Sequence, residues 1–239
     1  VCGAFSADPV QSRSAGADIY HLPASRAYPS FSAMLQAEQQ LPAAQRMDFV
    51  VIATPNHLHF PVAEEALRSG FHVMCDKPVT FSLQQALDLQ ELIQATKLTF
   101  GLTHNYTGYA MVREARELVR SGALGTIRRV NCEYLQGWLA RSEADNKQAQ
   151  WRTDPTRAGV AGCFGDIGSH AENLVSYVTG LDIAQVCADL TTFVDGRELD
   201  DDGNVLMRFH GGARGVISAS QIALGKENDL RLQIFGTQA

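Results

Sequence analysis

Residues 48–54 read Asp-Phe-Val-Val-Ile-Ala-Thr, and this run constrains the fold more than any other part of the chain. An unbroken apolar run that short predicts a strand covered on both faces, as in a parallel sheet flanked by helices. The surroundings repeat the theme. Residues 1–6, 72–76 and 98–102 are further short apolar runs, and 9–19, 30–40, 61–69 and 82–96 between them read as helices. In 82–96, Leu83, Ala86, Leu87, Leu89 and Ile93 fall at helical spacing. Gly70 stops the helix before it. Strands alternating with such helices imply right-handed crossovers and the doubly wound, dinucleotide-binding architecture.

The pattern changes after about Asn105. A helix over 111–121, closed by Gly122, leads to a strand at 126–134, a polar irregular stretch at 140–162 and a helix at 165–179. Strands follow at 184–194, 205–209, 215–222 and 230–235, with turn signals at Asp202-Gly203 and Gly211-Gly212. Such close spacing predicts antiparallel hairpins or a meander. The fold class is therefore α/β: a Rossmann-like parallel sheet in a domain over 1–105, then an α+β domain over 106–239 with a mainly antiparallel open sheet.

Composition removes several function classes. Lys plus Arg number 20 against 26 Asp plus Glu, a net charge of −6, which is no footprint for nucleic acid. No apolar run approaches a membrane span. Cys2, Cys75, Cys132, Cys163 and Cys187 are odd in number, widely spaced and without a C-x-x-C. They predict neither a disulfide framework nor a zinc site, and point to a reducing cytoplasm. His57 and His59 lack the partners of a metal site. No G-x-S-x-G, P-loop or G-x-G-x-x-G occurs. The chain has no initiator Met and opens on an apolar run, so it reads as starting inside a fold.

Four segments could carry chemistry. Thr54-Pro55-Asn56-His57-Leu58-His59 ends the best strand, where open α/β sheets bind ligands. Thr and Asn there can hold a ribose or a carboxamide; alternatively Asn56 caps a helix. Asp76-Lys77-Pro78 ends the next strand. Lys77 can hold a ribose hydroxyl and stabilise a developing alkoxide as a fixed positive charge, or be a surface Lys in a turn. In Gly165-Asp166-Ile167-Gly168-Ser169-His170, helical spacing puts Asp166 and His170 on one face. That pair suits a general base oriented by a carboxylate, unless Asp166 only caps the helix. Trp151, Arg152 and Arg157, with Tyr134 and Trp138, suit a hydroxyl-rich pocket; alternatively one buried Trp pins the loop.

Taken in order, ATPNHLH, CDKP, Asn105-Tyr106, SGALG, WR-x-DP and GDIGSH resemble the glucose–fructose oxidoreductase/inositol dehydrogenase (Gfo/Idh/MocA) family over essentially the whole chain. The resemblance implies an NAD(P)-dependent sugar or polyol oxidoreductase, with a homo-oligomer built through the second sheet. Thr54, Pro55, Asn56, His59, Asp76, Lys77 and Asn105 match cofactor-side positions. Asp166 and His170 match the substrate-side Asp and catalytic His, with Lys77 as the third catalytic group. It also implies that the first strand and Gly-rich loop lie upstream of Val1, and that the parent protein is longer at both ends. Where the family selects its cofactor stands Ser6, followed by Arg13, a pair that tilts the reading toward NADP; Asp8, two residues on, would serve NAD. Asp76 replaces the usual Glu, and Thr107 an Arg common in relatives. A family member or fragment that binds cofactor or sugar silently and regulates a partner is the rival reading.

Overall fold

The computed structural model describes residues 1–141 and 145–239. They fall into two units, Val1–Thr103 and His104–Ala239.

In the first unit the apolar run becomes β1 (Phe49–Ile52). Helices α1 (Pro9–Asp18) and α2 (Phe31–Gln39) precede it; α3 (His59–Arg68), β2 (His72–Cys75), α4 (Leu83–Thr96) and β3 (Phe100–Leu102) follow. The strands pair in the order β1-β2-β3, all parallel, with Ile52 opposite Cys75 and Cys75 opposite Leu102. Asp8, Ser30 and Ser82 cap α1, α2 and α4 through their side-chain oxygens. Val50, Ile52, Val73 and Cys75 pack with Leu35 of α2, Leu67 of α3 and Leu89 of α4 in one core.

Two expectations need correction here. Helices α2, α3 and α4 share that single core, so alternate strand residues Phe49, Val51 and Met74 stay exposed rather than covered on both faces. Residues 1–6 do not form a strand: they make one bridge, Gly3 to Ala27. The ladder stops there because the next paired group is a side chain, with the Phe5 amide donating to Ser12 Oγ.

The second unit begins with α5 (Ala110–Arg120), β4 (Arg129–Leu135), α6 (Lys147–Arg152) and α7 (Pro155–Ala158). A single π-helical turn, Phe164–Gly168, leads into α8 (Ser169–Thr179), ended by Gly180 at φ 65°. Then come β5 (Ile183–Thr191), β6 (Asp202–Phe209), β7 (Arg214–Ser220) and β8 (Asp229–Phe235). The sheet order is β5-β6-β7-β4-β8, antiparallel except for the central β4–β7 pair. Val130, Cys132, Met207 and Ile217 pack against Ile167, Ala171, Leu174 and Val175. On the other face of the sheet Leu206 and its pairing partner Cys187 are exposed, while Val186 and Leu190, opposite Met207 and Gly203, lie on the helix-side face at the edge strand β5.

The stretch expected to be irregular holds two short helices, capped by Asn146 and Asp154; its residues 142–144 lie outside the described residues. Asp202-Gly203 is not a turn but the start of β6. The glycine is needed for space: a Cβ at Gly203 would lie 2.9 Å from the Phe164 ring.

A buried carboxylate organises the entry to the first unit. Glu38 is fully buried and accepts from Arg26 Nη2 at 2.9 Å, Tyr28 Oη at 2.8 Å and the Met47 amide at 3.0 Å. Burial, and then the hydrogen bond to Glu38, push the Tyr28 hydroxyl from its ordinary 10 up to about 12. Above pH 10 the unfolded chain therefore loses this proton first, and stability declines as pH rises toward about 12. Tyr28→Phe is expected to cost about 1–3 kcal/mol near neutral pH, by leaving a Glu38 oxygen short of a donor. It should also flatten the alkaline decline, which urea unfolding across that pH range measures.

Candidate active site

Two clusters of polar side chains stand out, one in each unit. The first lies at the carboxyl ends of β1 and β2. Because these strands are parallel neighbours, the turns that follow them leave the same edge of the sheet. After β1 the chain passes Thr54 and Pro55 into a 3₁₀ turn, Asn56–Leu58, and enters α3 at His59. After β2 it passes Asp76, Lys77 and Pro78, with a cis Lys77–Pro78 peptide.

His59 ties these turns together. It is 1% exposed; Nδ1 lies 2.6 Å from the Pro78 carbonyl and Nε2 2.9 Å from the Thr54 carbonyl. Carbonyls only accept, so the ring N–H donates to one of them and the tautomer decides which, while the other ring nitrogen abuts the second. Both ring nitrogens are thus directed onto the protein's own backbone. Asp76 Oδ1 accepts from the Lys77 amide and from Thr103 Oγ1, both at 2.8 Å, fixing the backbone from which the half-buried Lys77 side chain extends. Asn56 is buried. Thr54 Oγ1 and His57 Nδ1 are buried and make no hydrogen bond among the described residues. Buried polar atoms are rarely left so; unused hydrogen-bonding capacity at a strand's carboxyl end fits a ribose or carboxamide.

Ser6 precedes α1 and accepts from the Asp8 amide at 3.1 Å. Asp8 Oδ1 is engaged by the Gln11 amide at 2.8 Å as the helix cap. Arg13 is exposed on α1.

The second cluster surrounds His170, which is 8% exposed in the first turn of α8. The rings of Tyr106, His104 and Tyr134 enclose it at centroid distances of 4.8, 5.6 and 6.2 Å. Tyr106 and Tyr134 share a short hydroxyl–hydroxyl hydrogen bond. Tyr134 donates to Asn228 Oδ1 at 2.6 Å, and Asn228 Nδ2 donates to Tyr106 at 3.2 Å. Gln136 Nε2 donates to Asn228 at 2.9 Å, and Trp138 Nε1 to Gln136 at 2.8 Å. Burial, and then the Tyr106 hydroxyl, raise the Tyr134 pKa far above the ordinary tyrosine value, so its hydroxyl keeps the proton that it donates to Asn228.

Asp166 sits in the π-helical turn just before. Its Oδ2 accepts from Arg152 Nε at 3.1 Å and from Gln221 Nε2 at 2.9 Å. The Arg152 guanidinium lies 4.1 Å from the Trp151 ring centroid and 5.9 Å from that of Trp138, and Nη1 donates to Gln148. The WR-x-DP and GDIGSH segments therefore meet, as one ion pair backed by two indoles. Those indoles hold the guanidinium. Tyr134 is buried in the core, Arg157 is half-buried on α7, and Asn105 is exposed in the 3₁₀ turn Asn105–Gly108. The sequence reading gave no role to His104, Tyr106, Gln136, Gln221 or Asn228. Tyr106 belongs to the Asn105-Tyr106 motif and enters with His104 from the 3₁₀ turn, whereas Gln136, Gln221 and Asn228 carry only polarity next to strand ends, since sheet pairing brings them into the cluster.

A parallel sheet with polar turns at its carboxyl edge, followed by a mixed sheet bearing a His/Asp cluster, defines a dinucleotide-binding oxidoreductase class. The comparisons agree. Residues 2–104 match the oxidoreductase family with the NAD-binding Rossmann fold, and 112–239 match the GFO/IDH/MocA C-terminal domain. The chain belongs to the Gfo/Idh/MocA family. It is 31% identical to the oxidoreductase YfiI of Bacillus subtilis over 99% of its own length and 61% of that protein. It is 29% identical to levoglucosan dehydrogenase of Pseudarthrobacter phenanthrenivorans over 79% of this chain and 53% of that enzyme. The chain thus spans less than two thirds of these relatives. Among solved structures, an inositol dehydrogenase homolog from Azotobacter vinelandii complexed with NAD+ superposes with a TM-score of 0.95 at 31% identity, covering 99% of this chain and 61% of that one. Levoglucosan dehydrogenase in complex with NADH and levoglucosan gives 0.83 at 26% identity, covering 97% and 60%.

His59→Ala removes the ring that bridges the two carbonyls. It is expected to cost about 1–3 kcal/mol of stability and, by loosening both turns, to weaken NADH binding about tenfold, equivalent to ~1.4 kcal/mol. Fluorescence titration alongside urea unfolding checks both.

Proposed function

We propose that the protein is an NAD(P)-dependent dehydrogenase or reductase acting on a secondary hydroxyl or carbonyl of a sugar or polyol. The observation that carries this reading is the buried His170, ringed by aromatic side chains one helical turn beyond an Asp166 held by Arg152 and Gln221. A buried imidazole in a fixed orientation is what a general base requires. His170 takes the hydroxyl proton, and Asp166 sets the polarity around it. Trp138, Trp151, Arg152, Arg157 and the Tyr134–Asn228–Gln136 chain shape the hydroxyl-binding side.

The first cluster fits a nicotinamide dinucleotide. Thr54 and Asn56 would hold its ribose and carboxamide, with Pro55, His59 and Asp76 shaping the turns, and the cofactor-side role of Asn105 rests on its motif alone. When bound, the nicotinamide accepts or donates a hydride at C4. Lys77 supplies a fixed positive charge for a developing alkoxide and a donor for a ribose hydroxyl. Ser6 and Arg13, in place of an acid, favour the 2′-phosphate of NADP; the neighbours above carry NAD+ or NADH. Related structures hold myo-inositol or levoglucosan, which makes a cyclic polyol or anhydrosugar the substrate class of choice. The five free cysteines suit a cytoplasmic setting, and no described helix is long and apolar enough to cross a membrane.

The test is steady-state turnover of myo-inositol and levoglucosan with NAD+ and NADP+, by the wild type and His170→Ala. The variant should lose more than roughly a hundredfold in kcat, and NADP+ should be the better cofactor. Near-normal turnover in the variant removes His170 from its role. Tight NADPH binding without turnover of any polyol transfers the reading to a silent, cofactor-binding regulator.

We also propose a homo-oligomer formed through the open face of the second sheet, where Leu206 is 60% exposed beside the exposed Cys187. Leu206→Glu should then lower the sedimenting mass of the protein in ultracentrifugation. An unchanged mass would place the interface elsewhere.

A further inference from the structure

The π-helical turn that carries Asp166 is not capped by its own neighbours. The first amides of a helix lack intrahelical partners and ordinarily find a side chain just upstream. Here three consecutive amides are taken by one residue 36–38 positions later in the chain. Gly162 N donates to Asp200 Oδ1 at 2.6 Å, Cys163 N to the Asp200 carbonyl at 2.8 Å, and Phe164 N to Asp200 Oδ2 at 2.8 Å.

The grip is continued by the residues around it. A Cβ at Gly162 would lie 2.2 Å from the Asp200 carbonyl oxygen, so only glycine allows the approach. The Phe164 ring lies where side chains at Gly168 and Gly203 would stand, with ideal Cβ contacts of 2.7 and 2.9 Å. Asp201, 1% exposed, is itself anchored: its carboxylate accepts from the Phe193 and Val194 amides and pairs with the buried Arg197 at 3.2 Å. Arg197 Nη2 reaches the Leu139 carbonyl at 2.9 Å, one residue from Trp138. The Asp201 carbonyl accepts from the Gln221 amide, and Gln221 Nε2 holds Asp166.

We propose that Asp200 is a positioning residue for the reaction: its charged carboxylate fixes the start of the turn and so sets the placement of Asp166 and the approach into His170. Through Asp201 the same segment anchors Gln221 and the Trp138 strand end. The turn is thereby registered against β6 rather than against its own sequence. A π-turn, wider than the α-helix and frequent at functional sites, needs such an outside anchor to keep one geometry. The inference rests on the proposed roles of Asp166 and His170, and its test separates the two.

Asp200→Asn keeps the size but turns an NH₂ group toward one of the amides. In hydrogen exchange on the full protein, amides 162–164 should exchange about tenfold faster or more, the scale of one lost charge-assisted hydrogen bond. Exchange in the Val1–Thr103 unit should be unchanged. In turnover assays kcat should fall about tenfold, with the NADPH dissociation constant unaltered. Gly162→Ala, which strikes the same contact from the other side, should reproduce both effects if the first variant folds poorly. Unchanged exchange at 162–164, or equal acceleration through both units, overturns the proposal. So does a loss confined to cofactor affinity. If the wild type turns over no polyol, the functional reading fails, and the exchange result alone still decides whether Asp200 sets the turn.

Discussion

The pairing of β4 with both β7 and β8 is the constraint on which the second unit depends. Leu135 stands opposite Ser220 on one side and Asp229 on the other. The ends of three strands far apart in sequence are therefore brought to one place. Just beyond them the backbone continues to pair: Gln136 N donates to the Ser220 carbonyl, Leu139 N to the Gln221 carbonyl, and Ala223 N to the Gln136 carbonyl. Gln136, Trp138, Gln221 and Asn228 owe their meeting to this register. A slip of one residue would send each of them to the opposite face, and with them the support of Tyr106, Tyr134 and Asp166. The side chains that shape the surroundings of His170 are thus consequences of a ladder whose stability lies in its apolar face, in Val130, Cys132, Ile217 and Ala219.

The ion pair of Asp166 and Arg152 shows how that frame is used. Both side chains are largely but not fully removed from water, 17% and 24% exposed. Withdrawing such charges costs free energy that their mutual attraction alone does not reliably recover. The remaining donors and acceptors are therefore matched: Gln221 on the carboxylate, Gln148 on the guanidinium, and indole faces above it. An arrangement with several matched partners is specific in geometry more than it is stabilising. That is the property required of a group next to a base, whose proton affinity follows its electrostatic surroundings.

How much of this could be read from the sequence follows from the range of the interactions involved. The parallel sheet was legible because 48–54 and 72–76 carry strand character in their own composition, although only alternate residues are buried, and because Gly70 and Gly122 mark helix ends locally. The turns at 54–58 and 76–78 were legible as turns because Pro55 and Pro78 follow the two strands closely. What was not legible depends on partners distant in the chain. Residues 1–6 look like a strand by hydrophobicity, yet only Gly3 finds a backbone partner. Asp202-Gly203 looks like a turn, yet it starts β6, because the glycine leaves room for Phe164. His59 looks like a ligand of the cofactor by motif, while its ring spans two backbone carbonyls. Arg152 reads as a polar pocket residue by composition, while its pairing with Asp166 and stacking on Trp151 depend on partners the motif does not show.

The two clusters differ in a way that bears on what each is for. Around Asp166 and Tyr134, hydrogen-bond donors and acceptors are matched by protein groups from several strands. At the end of β1, Thr54 Oγ1 and His57 Nδ1 are buried without a partner among the described residues, although the turn that bears them is held firmly by His59. An unsatisfied buried hydroxyl costs on the order of 1–3 kcal/mol, a cost that folding alone gives no reason to keep. On the reading proposed above, a bound group rich in hydroxyl and amide functions would offset that cost without moving the turn, because His59 already holds the geometry in which those polar atoms stand unmet.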